Sequence, residues 1–317
     1  MNRPKSAAAL ATIALTALAL AGCGSSGSHP TASGSSASTV ESASFPVTVA
    51  GTTLNAKPTH IISMSPTATD MLFTIGAGSQ VIAVDKNSDY FGANPPATTP
   101  PADIDAFQPN AEEIAAKNPD LVVLSDDINK IKDALVKLKI PVYVAPAATT
   151  LEDTYNQMVA LGRLTGHPTA AATAVAAEKK AISDDLAKLK PRSAPLTFYY
   201  ELDQTYYSVT SKTFLGSLFT MAHMTNIADA GNASNPYPQL SAEVIVKADP
   251  DVIFLADTEC CKQSETTVAA RPGWSTISAV KTKQVVPIPD DVASQWGSRV
   301  PALLETIVNE SNAAPTP

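Results

Sequence analysis

One stretch of thirteen residues has a second, similar copy later in this chain, with five positions identical. Glu112-Glu113-Ile114-Ala115-Ala116-Lys117-Asn118-Pro119-Asp120-Leu121-Val122-Val123-Leu124 aligns without a gap on Glu243-Val244-Ile245-Val246-Lys247-Ala248-Asp249-Pro250-Asp251-Val252-Ile253-Phe254-Leu255. Glu, Ile, Pro, Asp and Leu recur at the same places. Each copy reads as a helix stopped by Pro and followed by a wholly apolar strand, the repeating unit of a parallel α/β sheet. A shorter match, Leu72-Phe73-Thr74 with Leu218-Phe219-Thr220, lies upstream of each copy. Helix–Pro-Asp–strand turns are common, so one match carries little. Two matches in the same order predict two similar α/β lobes with mainly parallel sheets.

The surrounding patterns agree. Phe45–Leu54 reads as a short strand or hairpin. His60–Ser63 reads as a strand, and Ser65-Pro66 opens a helix with Pro in its first turn. Val81–Val84, Leu121–Leu124 and Val142–Val144 read as strands, and Glu112–Lys117 and Ile131–Lys139 as helices. Pro168–Lys190 is Ala-rich and is stopped by Pro191 and Pro195. Because the repeat breaks on either side of it, this segment is expected to be a single long α-helix joining the lobes, about 34 Å long at 1.5 Å per residue. The expected organisation is 1–22 signal peptide, 23–58 tether and first strand, 59–167 N-terminal lobe, 168–191 interlobe helix and 192–317 C-terminal lobe.

The N-terminus reads as an address. Arg3 and Lys5 precede an apolar run, Ala7 to Gly22, too short for a comfortable membrane span of about 20 residues. It ends Leu20-Ala21-Gly22-Cys23, which resembles the bacterial lipobox, so Cys23 is expected to be lipidated. Residues 24–44 hold nine Ser and three Gly, the composition of a flexible tether. The chain is expected to be extracytoplasmic, held by lipid on the outer face of the bacterial cytoplasmic membrane. Of 22 Lys+Arg and 30 Asp+Glu, removal of residues 1–22 takes two bases and no acid, leaving −10. That balance argues against nucleic acid as a partner.

Several segments together resemble the substrate-binding lipoproteins of ABC importers for ferric siderophores and vitamin B12. The segments are Lys57–Asp70, Asn110-Ala111-Glu112 before Pro119-Asp120, Tyr237–Glu243 before Asp249-Pro250-Asp251, Arg271-Pro272-Gly273-Trp274 and Ser298-Arg299. The resemblance runs from about Lys57 to the end of the chain. It implies a monomeric, non-enzymatic binding protein of two α/β lobes joined by one long helix, with no cofactor. Its partners would be a small metal chelate, a permease and, through the permease, an ATPase. One Glu on each lobe of that family docks onto permease Arg residues, and the matching positions are Glu112 and Glu243. Two ordinary first-turn Glu residues would look the same, and Glu113 competes with Glu112.

Ligands of open α/β sheets sit beyond the carboxyl ends of strands. That rule selects Ser63–Ser65, Asn87–Tyr90, Ser125–Asp127, Tyr199–Tyr207, Thr258–Cys261 and Ser294–Trp296. Tyr90, Tyr206, Tyr207, Tyr237 and Trp296 stand out as aromatic ligand contacts, in keeping with the cleft aromatics that the resemblance implies, with Arg271 as a basic residue near the cleft and Phe107 as a weaker candidate. Basic residues near the expected cleft are few (Arg271, Arg299, Lys212), which favours a neutral or weakly charged chelate such as a hydroxamate siderophore or a corrinoid. Cys260-Cys261 departs from the family pattern. Neighbouring Cα atoms lie about 3.8 Å apart, below the usual disulfide range of roughly 4.4–6.8 Å. A strained vicinal disulfide, two thiols and soft contacts to a ligand all stay open. Outside the tether only His60, His167 and His223 occur, without ligand-like spacing, which argues against a zinc or manganese site. The alternatives are a haem binder, with a Tyr or His223 as axial ligand, and a surface hydrolase. No Gly-x-Ser-x-Gly elbow exists, and Ser217 lacks the second Gly.

Overall fold

Parallel strands with helices on both faces account for almost all regular structure. The computed structural model describes residues 44–88, 99–231 and 235–315. A small antiparallel hairpin, β1 (Val47–Val49) and β2 (Thr52–Leu54), comes first. The N-terminal sheet follows, with β3 (Ile61–Met64), β4 (Val81–Asp85), β5 (Ala102–Ile104), β6 (Leu121–Leu124) and β7 (Val142–Val144) in the order β5-β4-β3-β6-β7. The C-terminal sheet holds β8 (Thr197–Glu201), β9 (Thr225–Asn226), β10 (Val252–Leu255) and β11 (Val285–Pro287) in the order β11-β10-β8-β9. Every pairing in both sheets is parallel.

The two sheets share one plan. Read from the edge, β4-β3-β6-β7 and β9-β8-β10-β11 have the same connectivity, with β5 added to the first. Helix α1 (Pro66–Thr74) links β3 to β4. Helices α2 (Ala111–Ala116) and α3 (Ile131–Lys137) precede β6 and β7. In the second lobe the equivalents are α6 (Phe214–Met221), α7 (Ala242–Ala248), and α8 (Glu265–Ala269) with α9 (Ser278–Lys281), and the short α10 (Asp290–Ala293) follows β11. Leu72-Phe73 and Leu218-Phe219 are buried at matching places in α1 and α6. The Pro-Asp turns also do the same work twice. Asp120 accepts hydrogen bonds from the backbone N–H groups of Thr59 (2.8 Å) and His60 (2.9 Å), and Asp251 accepts from Thr197 N–H (2.8 Å) and its hydroxyl (2.8 Å). Each Asp thereby ties the start of its own strand to the start of the neighbouring first strand.

Both sheets are covered on both faces, as parallel sheets require. Leu121 and Val123 join a core under α1 and α4 (Leu151–Thr165), whereas Val122 and Leu124 join another with Ile114, Ile131 and Leu135. Phe198, Tyr200 and Phe254 pack against α6 and α11 (Val300–Ala313), and Tyr199, Ile253 and Leu255 against Ile245 and Trp274.

Between β7 and β8 the chain runs through α4, a left-handed Gly166 (φ 76°), and α5 (Pro168–Leu186). Helix α5 has 19 residues, about 28 Å, and ends at Leu186, short of the expected Lys190: Pro191 has no N–H to bond the Ala187 carbonyl, and Asn312 of α11 holds the next turn through Lys188 O and Lys190 N–H. Its neighbours are α4 on one side and α11 on the other, so the segment crosses as half of a helical hairpin. Among the described residues, no helix is long and apolar enough to cross a membrane.

Candidate functional site

The order of each sheet reverses about its first strand, and such switch points open crevices at the carboxyl ends of strands. In the N-terminal lobe this point lies at the ends of β3 and β6. It is lined by a buried hydroxyl network: Thr69 donates to Ser63 Oγ (2.8 Å) and Ser88 Oγ (3.2 Å), and Ser88 donates to Asp85 Oδ2 (2.5 Å). Burial pushes the Asp85 carboxyl upward against these hydrogen bonds. Ser65 caps α1 by accepting from Ala68 N–H (3.2 Å).

The C-terminal switch point is charged and aromatic. Glu201 ends β8 opposite Leu255 of β10 and is fully buried. Arg271 donates two hydrogen bonds of 2.6 Å to its carboxylate and a third of 2.7 Å to Gln263 Oε1. The guanidinium lies over the Trp274 ring (4.5 Å) and near Tyr206 (5.4 Å), and these two rings stack at 5.6 Å. Burial, then the negative charge of Glu201, pushes the Asp257 carboxyl upward. The same two causes, in the same order, raise the Tyr199 phenol. Tyr199 Oη, Ser208 Oγ and Trp274 Nε1 are buried without a hydrogen-bond partner among the described residues, which marks this lobe's polar interior as unusual for a plain core.

Tyr206 has left-handed backbone (φ 68°), an expensive conformation for a residue with a ring. It starts a short irregular ladder. Leu240 N–H donates to Tyr206 O, Ser208 N–H to Pro238 O, and Tyr207 bridges Gln239. The ladder holds the loop after β8 against residues 235–240 and so brings the Tyr207 and Tyr237 segments together. Tyr207 is 41% exposed and Tyr237 51%.

The structure thus gathers Tyr206, Tyr207, Tyr237 and Arg271 in one lobe. Trp296 stands elsewhere. It packs against the cores of both lobes, donates from Nε1 to Gln157 Oε1 (3.1 Å), and accepts from Thr154 at its carbonyl (2.8 Å). Beside it, Ser298 donates to Asp70 of α1 from its backbone N–H (3.0 Å) and hydroxyl (2.5 Å), so Trp296–Ser298 is a clasp between lobes. Phe107 is exposed on a turn held by Asp105. Tyr90 and Cys23 lie outside the described residues.

Glu112 and Glu243 are exposed in the first turns of α2 and α7, one per lobe. Asn110 and Ser241 cap these helices, and hydrogen bonds from its own N–H and from Ser241 hold the Glu243 carboxyl below its ordinary value. Two cavities, of about 510 and 490 Å³, are lined by none of Tyr206, Tyr207, Tyr237, Arg271, Glu112 and Glu243. One is beside Arg192 and His223, the other beside Tyr143 and Gln157. Among the described residues no group of His, Cys, Asp and Glu is arranged to hold a metal ion.

Sequence reasoning missed Glu201, Gln263 and Asp257 as members of this cluster. Glu201 closes an otherwise apolar strand run, a signal that could have been read. Its partner stands 70 residues away and nothing local announces it.

A family model described as periplasmic binding protein matches residues 61–292. The chain is 26% identical to an uncharacterized ABC transporter substrate-binding lipoprotein, YvrC, of Bacillus subtilis, over 93% of this chain and 94% of the relative. It is 32% identical to a cobalamin-binding protein of Halobacterium salinarum, over 66% of this chain but only 58% of the relative. The solved vitamin B12 binding protein of Vibrio cholerae superposes with a TM-score of 0.66 at 22% identity, covering 80% of this chain and 97% of that one.

Proposed function

The chain belongs to the periplasmic binding protein family, and from that premise we propose that it captures a bulky metal chelate outside the cytoplasm and hands it to an ABC importer permease. Two lobes of one plan, each with a switch point, suit a ligand held between them. The observation that carries the ligand class is the neutralised guanidinium. Arg271 is 11% exposed in its side chain and spends its charge on Glu201, so it offers no net positive charge to a strongly anionic catecholate. A corrinoid or a ferric hydroxamate, large and weakly charged, fits a surface of Tyr206, Tyr207 and Tyr237. The names of the halobacterial and Vibrio relatives favour a corrinoid. Cys23 would carry the anchor, a reading supported by the lipobox-like residues and by the lipoprotein named above. The protein acts as a monomeric binder, with the ligand as cargo.

Titrating the full chain with cyanocobalamin, a ferric hydroxamate, a ferric catecholate and haemin, followed by calorimetry, tests this directly. Saturable binding of the first or second is expected, and Tyr237→Ala should weaken it by roughly 1–3 kcal/mol. Binding confined to the catecholate, or to haem with a Soret shift, would replace the proposed ligand class.

A further inference from the structure

We propose that Cys260 and Cys261 close into a vicinal disulfide on the loop that leaves the C-terminal switch point. Their Sγ atoms stand 2.6 Å apart, deep inside the contact distance of two separate sulfurs. The loop is already folded for closure. The Asp257 carbonyl accepts from both Cys261 N–H and Gln263 N–H (3.3 Å each). Lys262 turns the chain back with φ 56°, and Gln263 Nε2 donates to Cys261 O (3.1 Å). Cys260 is exposed and Cys261 half-buried, so a small oxidant reaches them. The compartment rests on the extracytoplasmic reading above, where disulfides persist.

The chemistry balances by thiol–disulfide exchange. The Cys260 thiolate attacks a small-molecule disulfide such as oxidised glutathione, forming a mixed disulfide and releasing one glutathione thiolate. The Cys261 thiolate then displaces the second. Two S–H bonds are lost, one S–S bond forms, two protons go to solvent, and both electrons end on the glutathione pair. Closure matters for a carrier of metal chelates. Two adjacent thiols are soft ligands that compete for a chelated metal, whereas the closed ring offers neither thiolate. The same loop supplies Gln263, which holds Arg271, so closure also braces the neighbouring site.

Trypsin cleavage after Lys247 and Lys262 isolates Ala248–Lys262, which holds both cysteines and not Cys23. Full-length protein taken from membranes is denatured in N-ethylmaleimide without reductant, digested and weighed. The expected peptide is unalkylated and lighter by two hydrogen atoms than the dithiol, and after reduction it takes up two maleimides. A doubly alkylated peptide in the unreduced sample, or a peptide cross-linked to a second copy, overturns the proposal. In parallel, reduced protein is exposed to oxidised glutathione. Loss of two hydrogens is expected, and two stable glutathione adducts on this peptide overturn closure on geometric grounds. Protease accessibility of the protein on intact, wall-stripped cells reports the compartment separately, so a misplaced protein is not mistaken for an unreactive pair. Cys260→Ser should leave Cys261 fully alkylated without reductant, and a blocked Cys261 in that variant overturns the intraloop pairing.

Discussion

The Arg271 guanidinium donates two hydrogen bonds of 2.6 Å to the Glu201 carboxylate. Glu201 is fully buried, so removal of the guanidinium strands a carboxylate in the core of the C-terminal lobe. Arg271→Ala should cost about 3–5 kcal/mol in chemical denaturation, and Arg271→Ala with Glu201→Gln should recover part of it. A loss near zero for the single variant would mean that the ion pair does not support the fold. Glu178 of α5 shows the opposite arrangement. It is buried at the junction of the lobes, and burial first, then the negative charge of Asp70, pushes its carboxyl from 4.5 up to about 8. The folded chain therefore holds a proton that the unfolded chain gives up. Stability from this group is fully present below about pH 4.5, falls as pH rises, and is gone above about 8. Glu178→Gln should flatten that slope and exceed the parent at pH 9 by on the order of 2–5 kcal/mol. Parallel stability curves for the two proteins from pH 5 to pH 9 would refute it (both limits are about the range the linkage spans).

The Pro-Asp turn is the element in which sequence and structure agree most closely. Asn118 and Asp249, just before it, both take left-handed backbone (φ 51° and 48°), and the Asp after each Pro ties two strand starts together. Asp120→Ala and Asp251→Ala should each lower stability by roughly 0.5–1.5 kcal/mol, since the first trades two strand-end N–H bonds, and the second one N–H and one hydroxyl bond, for bonds to water. A cost at one site and none at the other would break the equivalence of the two lobes. Elements lacking a repeat were harder to read. Strands β5 and β9 are short and polar (Ala-Asp-Ile and Thr-Asn), without the continuous apolar run that marks the equally short Val142–Val144. Helix α5 ends at Leu186, four residues short of Lys190, and the turn that follows is held by Asn312 from the far end of the chain, a contact that no local pattern in Pro168–Lys190 announces.

At the scale of the molecule, the proposed permease contact needs one acid on each lobe at a fixed separation. Glu112 and Glu243 occupy matching first turns on rigid helices, which suits orientation and on-rate more than raw affinity. Glu112→Ala with Glu243→Ala should reduce cellular uptake at least tenfold, about 1.4 kcal/mol of coupling, while ligand affinity stays unchanged. Lost affinity, or unaltered uptake, would remove these residues from docking. The clasp at Trp296–Ser298 is a further feature of this scale, because it ties the end of one lobe to α1 and α4 of the other.

The sequence by itself determined the fold class, the duplicated plan and the family. Apolar strand runs, helix stops and Pro-Asp turns act through neighbours a few residues away, and a gapless repeat shows them twice. Only the tertiary structure decided what Arg271 and Trp296 touch. Their partners, Glu201 and Gln157, lie 70 and 139 residues away, and which distant groups meet depends on how complete sheets and helices pack. Composition counted the charge on Arg271, and three-dimensional packing is what cancelled it.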